Sequence, residues 1–166
     1  MIQKWSKQKK QLTNFMCESL KNRVVFQVTS YRKAHDQMGR VYVMIDKKNA
    51  LSMCSLKTMS ETYIRQKNLW ASGKEQNIEQ IQELAIAQAN DAGYFSKYHF
   101  WYALEEYFSN SIDQTLSSPD PIVRTLGMLD KRTGKRRLLK MKQQIQDEHD
   151  IVKYFYQLRI KAEGLN

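Results

Sequence analysis

Residues 23–56 read RVVFQVTSYRKAHDQMGRVYVMIDKKNALSMCSL, and the fold turns on how this stretch is read. Apolar residues recur here at every second position. Val24, Phe26 and Val28 alternate with Arg23, Gln27 and Thr29, with Val25 the exception. Val41, Val43 and Ile45 alternate with Tyr42, Met44 and Asp46. Successive side chains of a strand point to opposite faces, so this is the pattern of half-buried strands. Leu51–Leu56 is a third short β candidate, and the turn Asp46-Lys-Lys-Asn49 is short enough to close a hairpin. Three adjacent strands joined by short loops make an antiparallel meander with one apolar face to cover.

Upstream, residues 6–21 read as the helix that covers it. Leu12, Phe15, Met16 and Leu20 share one stripe at helical spacing, while Lys7, Lys9 and Lys10 stay with water. Ser6 is the expected N-cap. Trp5 is expected to fold back on this helix as a hydrophobic staple rather than stack on a base.

Downstream of Leu56 the period becomes helical to the end. Met59, Tyr63 and Trp70 sit at i, i+4 and i+11. Ser72-Gly-Lys-Glu75 has the form of a capping box opening a helix to about Asn90, with Ile78, Ile81, Ala85 and Ala89 inward. Asp91-Ala-Gly93 ends it. Tyr94–Phe108 holds eight of the 18 aromatics, placed on nearly every side of a helix. Glu105 and Glu106 would repel phosphate there, so the segment is assigned to the core rather than to a stacking surface. Ile122–Leu129 and Ile151–Leu158 share the pattern I-V-[basic]-x-[L/F]-x-x-L. With caps at Asp120-Pro121 and Asp150, and a helix at about 134–146 between them, the echo suggests HEAT-like helix stacking. The expected fold class is α+β: residues 1–56 a helix on a meander, residues 57–166 a helical region, in one compact unit or two lobes.

Composition bounds the rest. The 166 residues are near the usual size of one domain, and 42% hydrophobic content supports a core and excludes wholesale disorder. No apolar run approaches membrane-spanning length, so no membrane partner is expected. The opening residues are polar and basic, with no secretory signal, and two cysteines cannot staple a disulfide scaffold. Both features point to a reducing cytoplasm. The formal charge is +10. Residues 1–50 carry eleven Lys/Arg against three Asp/Glu, and residues 119–166 eleven against six. Such a chain attracts polyanions.

Three basic segments are candidate sites. The first is Lys4–Lys10, with Lys4, Lys7 and Lys10. The second is the loop Ser30–Arg40, carrying Arg32, Lys33, His35, Asp36 and Arg40. His35 has the chemistry of an acid or base near neutral pH, which makes His35, Asp36 and Arg40 weak catalytic candidates. An ordered loop with Gly39 at positive φ is the simpler reading. The third is Lys131–Lys142, in which seven of twelve residues are basic and none acidic. Arg132, Lys135, Arg136 and Arg137 enter a helix start that would suit phosphate. The alternative is a salt-bridged helix start using Asp130, Asp147 and Glu148. The sequence shows no Walker A loop, nucleophile elbow, dinucleotide fingerprint or metal-ligand spacing, so neither cofactor nor metal is expected. Cys17 sits in an apolar helical setting and is a poor nucleophile candidate.

Three signatures carry a resemblance: K-W-S-K-x-K-K-x-L at 4–12, S-Y-R-x-x-H-D-x-x-G-R at 30–40, and D-P-x-V-R-x-L-x-x-L-D-x-R-x-G-K-R-R-L at 120–138. Together they resemble a family of small, uncharacterised bacterial proteins across nearly the whole chain. The resemblance implies a complete bacterial protein and carries over no activity, cofactor or site. The leading expectation is therefore a non-enzymatic protein whose basic patches contact a polyanion, nucleic acid foremost. A protein–protein adaptor using the C-terminal helices comes second, and an enzyme centred on the Arg32–Arg40 loop third.

Overall fold

The strands form as their alternation requires. In the computed structural model, which describes residues 4–31, 38–73 and 77–165, β1 (Val24–Ser30), β2 (Gly39–Ile45) and β3 (Lys48–Cys54) form one sheet in the order β1-β2-β3. Val24, Phe26, Val41, Val43 and Ile45 are buried and their neighbours are not. The turn between β2 and β3 uses two residues with left-handed φ, Asp46 at 50° and Lys47 at 67°. Paired positive φ values match the twist of the flanking strands, which makes this a tight two-residue hairpin. Arg23 fastens it from β1's leading end, donating to Asp46 through Nε at 2.9 Å and Nη2 at 2.7 Å.

Gly39 has a different role from the one expected. It does not have positive φ; it is buried in β2, where a Cβ would lie 2.0 Å from the carbonyl oxygen of Thr29. Only glycine lets the two strands approach this closely.

Eight helices accompany the sheet among the described residues. They are α1 (Trp5–Phe15), α2 (Ser55–Ser72), α3 (Ile78–Asp91), α4 (Lys97–Ser109), α5 (Ile112–Ser117), α6 (Pro121–Leu129), α7 (Lys135–Lys140) and α8 (Asp150–Ala162). The chain is thus α+β, with an N-terminal helix, a three-stranded antiparallel sheet and a helical C-terminal region.

Several boundaries differ from the sequence reading. α1 stops at Phe15 instead of running to residue 21, because Met16 turns extended and bridges to Asp130. The Cys17 amide donates to the Leu129 carbonyl and the Lys131 amide to the Phe15 carbonyl, so a distant segment takes the backbone bonds that a helix would have used. Lys4, not Ser6, occupies the N-cap, without a side-chain hydrogen bond. Trp5 is the first helical residue, two positions past the one a staple occupies. Ser72 ends α2 rather than opening α3, since Gly73 takes left-handed φ (64°) there. The cap of α3 is Asn77, whose Oδ1 accepts from the amides of Glu79 and Gln80; Glu75 lies outside the described residues. Ile81, Ala85 and Ala89 are buried as expected, but Ile78 is exposed. Gly93 closes α3 with left-handed φ, and the Tyr94 amide reaches back to the Ala89 carbonyl.

Of the aromatic segment, Phe95, Phe100 and Tyr107 are fully buried, while Tyr98 and Tyr102 are exposed. α6 and α8, the two copies of the echo, pack together. His149 rather than Asp150 caps α8 through Nδ1. The expected helix at 134–146 is broken into α7 and a 3-10 turn at Gln144–Asp147.

The chain divides into two compact units. The first holds residues 1–26, 44–48 and 102–166, and its core includes Leu12, Leu20, Leu104, Val123, Val152 and Phe155. The second holds residues 27–43 and 49–101, with Val41, Val43, Met53, Ile81 and Phe100 inside.

Candidate functional site

In the first unit, Asp130 sets the geometry of the third basic segment. Its carboxylate is fully buried. Such a charge must be paired and hydrogen-bonded. Oδ1 accepts from the Arg132 amide at 2.7 Å. Oδ2 accepts from Tyr107 Oη at 2.6 Å, Arg132 Nη2 at 2.7 Å and Arg132 Nε at 2.9 Å. Burial and the Asp130 carboxylate push the Tyr107 phenol far above its usual pKa, so it remains a donor. The Arg132 guanidinium lies 4.5 Å from the Phe15 ring centroid, stacked beside the end of α1.

Below this, Arg159 of α8 is 3% exposed and donates to the carbonyls of Met128, Asp130 and Thr133. Its Nε pairs with Glu163 at 2.9 Å. Thr133 Oγ1 donates to the Gly127 carbonyl. Residues 127–133 are thereby held rigid, and they aim the run that follows.

That run lines an open concavity of about 530 Å³ formed by Arg132, Gly134, Lys135, Arg136, Arg137 and Lys140. Five of the six lining residues are cationic and none is acidic. Arg137 is pinned by Asp113 at 2.7 Å, and Lys135 lies 3.7 Å from Glu163. Arg136 and Lys140 are exposed and make no ion pair among the described residues. Glu148 pairs instead with Arg124, so of the three acids expected to neutralise this segment only Asp130 meets it. α7 has six residues, so a site here rests on side-chain charge rather than on a helix terminus.

Lys4, Lys7 and Lys10 are exposed on or beside α1, in the same unit. The end of α1 is zipped to Asp130 and Lys131. Two of the three basic segments thus belong to one packed body. Arg32, Lys33, His35 and Asp36 lie outside the described residues.

Arg40 belongs to the second unit, in surroundings that the sequence did not suggest. It is half-buried on β2 and donates to Tyr42 Oη at 3.1 Å and to Cys54 Sγ at 3.5 Å. Tyr31 Oη lies 3.3 Å from the same sulfur. Cys54 is the last residue of β3, the N-cap position of α2, and is 4% exposed. Burial pushes its thiol up, but hydrogen bonds from Tyr31, the Lys57 amide and Arg40 outweigh this and bring the pKa down to about 7. Tyr31 and Arg40 shift upward, each chiefly through its hydrogen bond to Cys54. The one sequence signal was Arg40 and Tyr42 sharing a face of β2. Their convergence on Cys54 needed the pairing of β2 with β3. Both cysteines are free thiols.

Fold and site together define an α+β chain with a rigidly mounted basic concavity. It belongs to the SF0329 protein family, whose model matches residues 4–160. No curated protein and no solved structure matches it. Among the described residues no helix is long and apolar enough to cross a membrane.

Proposed function

We propose that the first unit binds a polyanion, nucleic acid foremost, through the concavity at 132–140. The observation that carries this reading is a lining of five cationic side chains without an acid. Arg132, Arg137 and Lys135 are held in place by their own ion pairs, while Arg136 and Lys140 face solvent without one. Preset cations of this kind bind phosphates at little ordering cost. The exposed lysines of α1 extend the positive surface. Phosphate contacts dominate such binding, so little sequence preference is expected.

Fluorescence anisotropy with labelled duplex DNA, single-stranded DNA and RNA, at about 50 and 200 mM salt, tests this directly. Arg136→Glu with Lys140→Glu is expected to weaken binding at least tenfold and to flatten the logarithmic salt slope by about 2. Absence of binding at low salt, or an unchanged slope in the variant, rejects the proposal.

One observation favours the enzyme reading: Arg40 and Tyr31, at the two ends of the 32–40 loop, both reach the Cys54 thiol. The near-complete burial of that thiol keeps this reading second.

A further inference from the structure

Two basic segments of the first unit meet at Phe15, the last residue of α1. Its carbonyl accepts from the Lys131 amide at 2.8 Å, and the Arg132 guanidinium stacks on its ring. Lys4, Lys7, Gln11 and Phe15 follow one another at intervals of three or four, so they share one flank of the helix. Lys4 lies about 16 Å from Phe15 along the helix axis. Beyond Phe15 the chain supplies Lys131, Arg132 and then the concavity with Arg136 and Lys140. Lys4, Lys7, Lys131, Arg136 and Lys140 are all exposed, and they enter no ion pair among the described residues. Asp113 and Glu163 stand at the edge, each paired with a cation of the concavity, Arg137 and Lys135.

This basic track offers no ring for a base to stack on. Trp5 falls three residues before Gln8 and seven before Leu12, on the buried side of α1. Phe15 is covered by Arg132 and sits against Tyr107 and Phe108. Among the described residues no aromatic lines the concavity. The exposed rings of this unit, Tyr102 and Tyr154, belong to α4 and α8, and the cation of this track that lies over a ring, Arg132, covers Phe15 and Tyr107 instead. Proteins that hold single strands without sequence preference combine a basic groove with aromatic side chains for the bases. A duplex turns its bases inward and presents phosphate, one charge for about every 1.7 Å of axis. The mounting suits a stiff ligand too. Asp130 and Arg159 fix residues 127–133 and α1 is zipped to them, so the cations are preset.

We propose that the polyanion is double-stranded nucleic acid, held by its phosphates along one track from Lys4 and Lys7 of α1 through Lys131 and Arg132 to Arg136 and Lys140. This rests on the polyanion reading above, and it adds the kind of ligand and the α1 half of the surface.

Anisotropy competition of the full chain at about 100 mM salt compares duplexes of about 24 base pairs, in DNA and in RNA, with their separated strands. The duplex form is expected to bind at least about fivefold tighter than either of its strands. Lys4→Glu with Lys7→Glu is expected to weaken duplex binding at least about fivefold. The same charge change on α2 of the second unit, Lys57→Glu with Lys67→Glu, is expected to weaken it less. All four lysines are exposed, and far-ultraviolet circular dichroism checks that both variants remain folded. Single strands bound as tightly as duplexes, or a Lys4–Lys7 variant no weaker than the α2 variant, would overturn this inference and leave the polyanion reading standing. Absence of binding to every probe would overturn both.

Discussion

Cys54, Gly39 and Lys47 show how much single residues decide. A Cys54 pKa of about 7 lies below that of an ordinary thiol. The folded state therefore binds fewer protons than the unfolded state between these values. This stabilisation is present in full above the unfolded pKa and is lost as pH falls through about 7. The ultraviolet thiolate signal missing from Cys54→Ser is expected to titrate near pH 7, and to move upward in Arg40→Ala. Lys47 holds a left-handed φ of 67° that a side chain resists. Lys47→Gly is expected to stabilise by about 1 kcal/mol, seen as a higher midpoint in urea. At Gly39 even one methyl meets backbone. Gly39→Ala is expected to cost about 1–3 kcal/mol by the same assay, because neither paired strand can yield freely.

At the scale of elements, α1 and the 127–133 segment show where local signals were overridden. The stripe Leu12, Phe15, Met16, Leu20 suits a helix, and Met16, Leu20 and Leu12 are indeed buried. Their burial is achieved with the chain extended after Phe15, because Leu129 and Lys131, flanking the bridged Asp130, supply backbone partners from far along the sequence. The expected cap of α3 failed for a local reason. Ser72 was read as opening that helix, but Gly73 with its left-handed φ ends α2 there, and Asn77 caps α3 instead. The strands were legible because alternation is tied to burial on one face, which the sheet preserves. The basic run was legible as charge, but its mounting was not. Arg159 is the residue that mounts it: Arg159→Leu removes a buried donor to three carbonyls and one of the partners of Glu163. It is expected to cost about 3–5 kcal/mol and to weaken any polyanion binding together with stability.

Over the whole molecule, charge governs the response to solution conditions. Burial would raise the Glu163 carboxyl, but Ser19, Arg159 and Lys135 hold it below its usual value. A carboxyl with a depressed folded pKa stabilises above its unfolded pKa, and that contribution fades as pH drops through the folded one. Thermal unfolding from pH 6 down to about pH 3 is expected to show a shallower decline for Glu163→Gln than for the native chain. The same net charge of +10 makes polyanion binding salt-sensitive. Sequence alone determined the α+β class, the three strands, the burial of Phe95, Phe100 and Tyr107 within the aromatic segment, and the uneven charge. Each is a matter of local periodicity or composition, carried by neighbouring residues. Only the tertiary structure decided that Asp130 ends α1 and orients Arg132, that Arg40 meets Cys54, and that α2 turns its apolar row to solvent. Each of these rests on groups far apart in the chain, whose proximity is an outcome of packing and which no window of sequence contains.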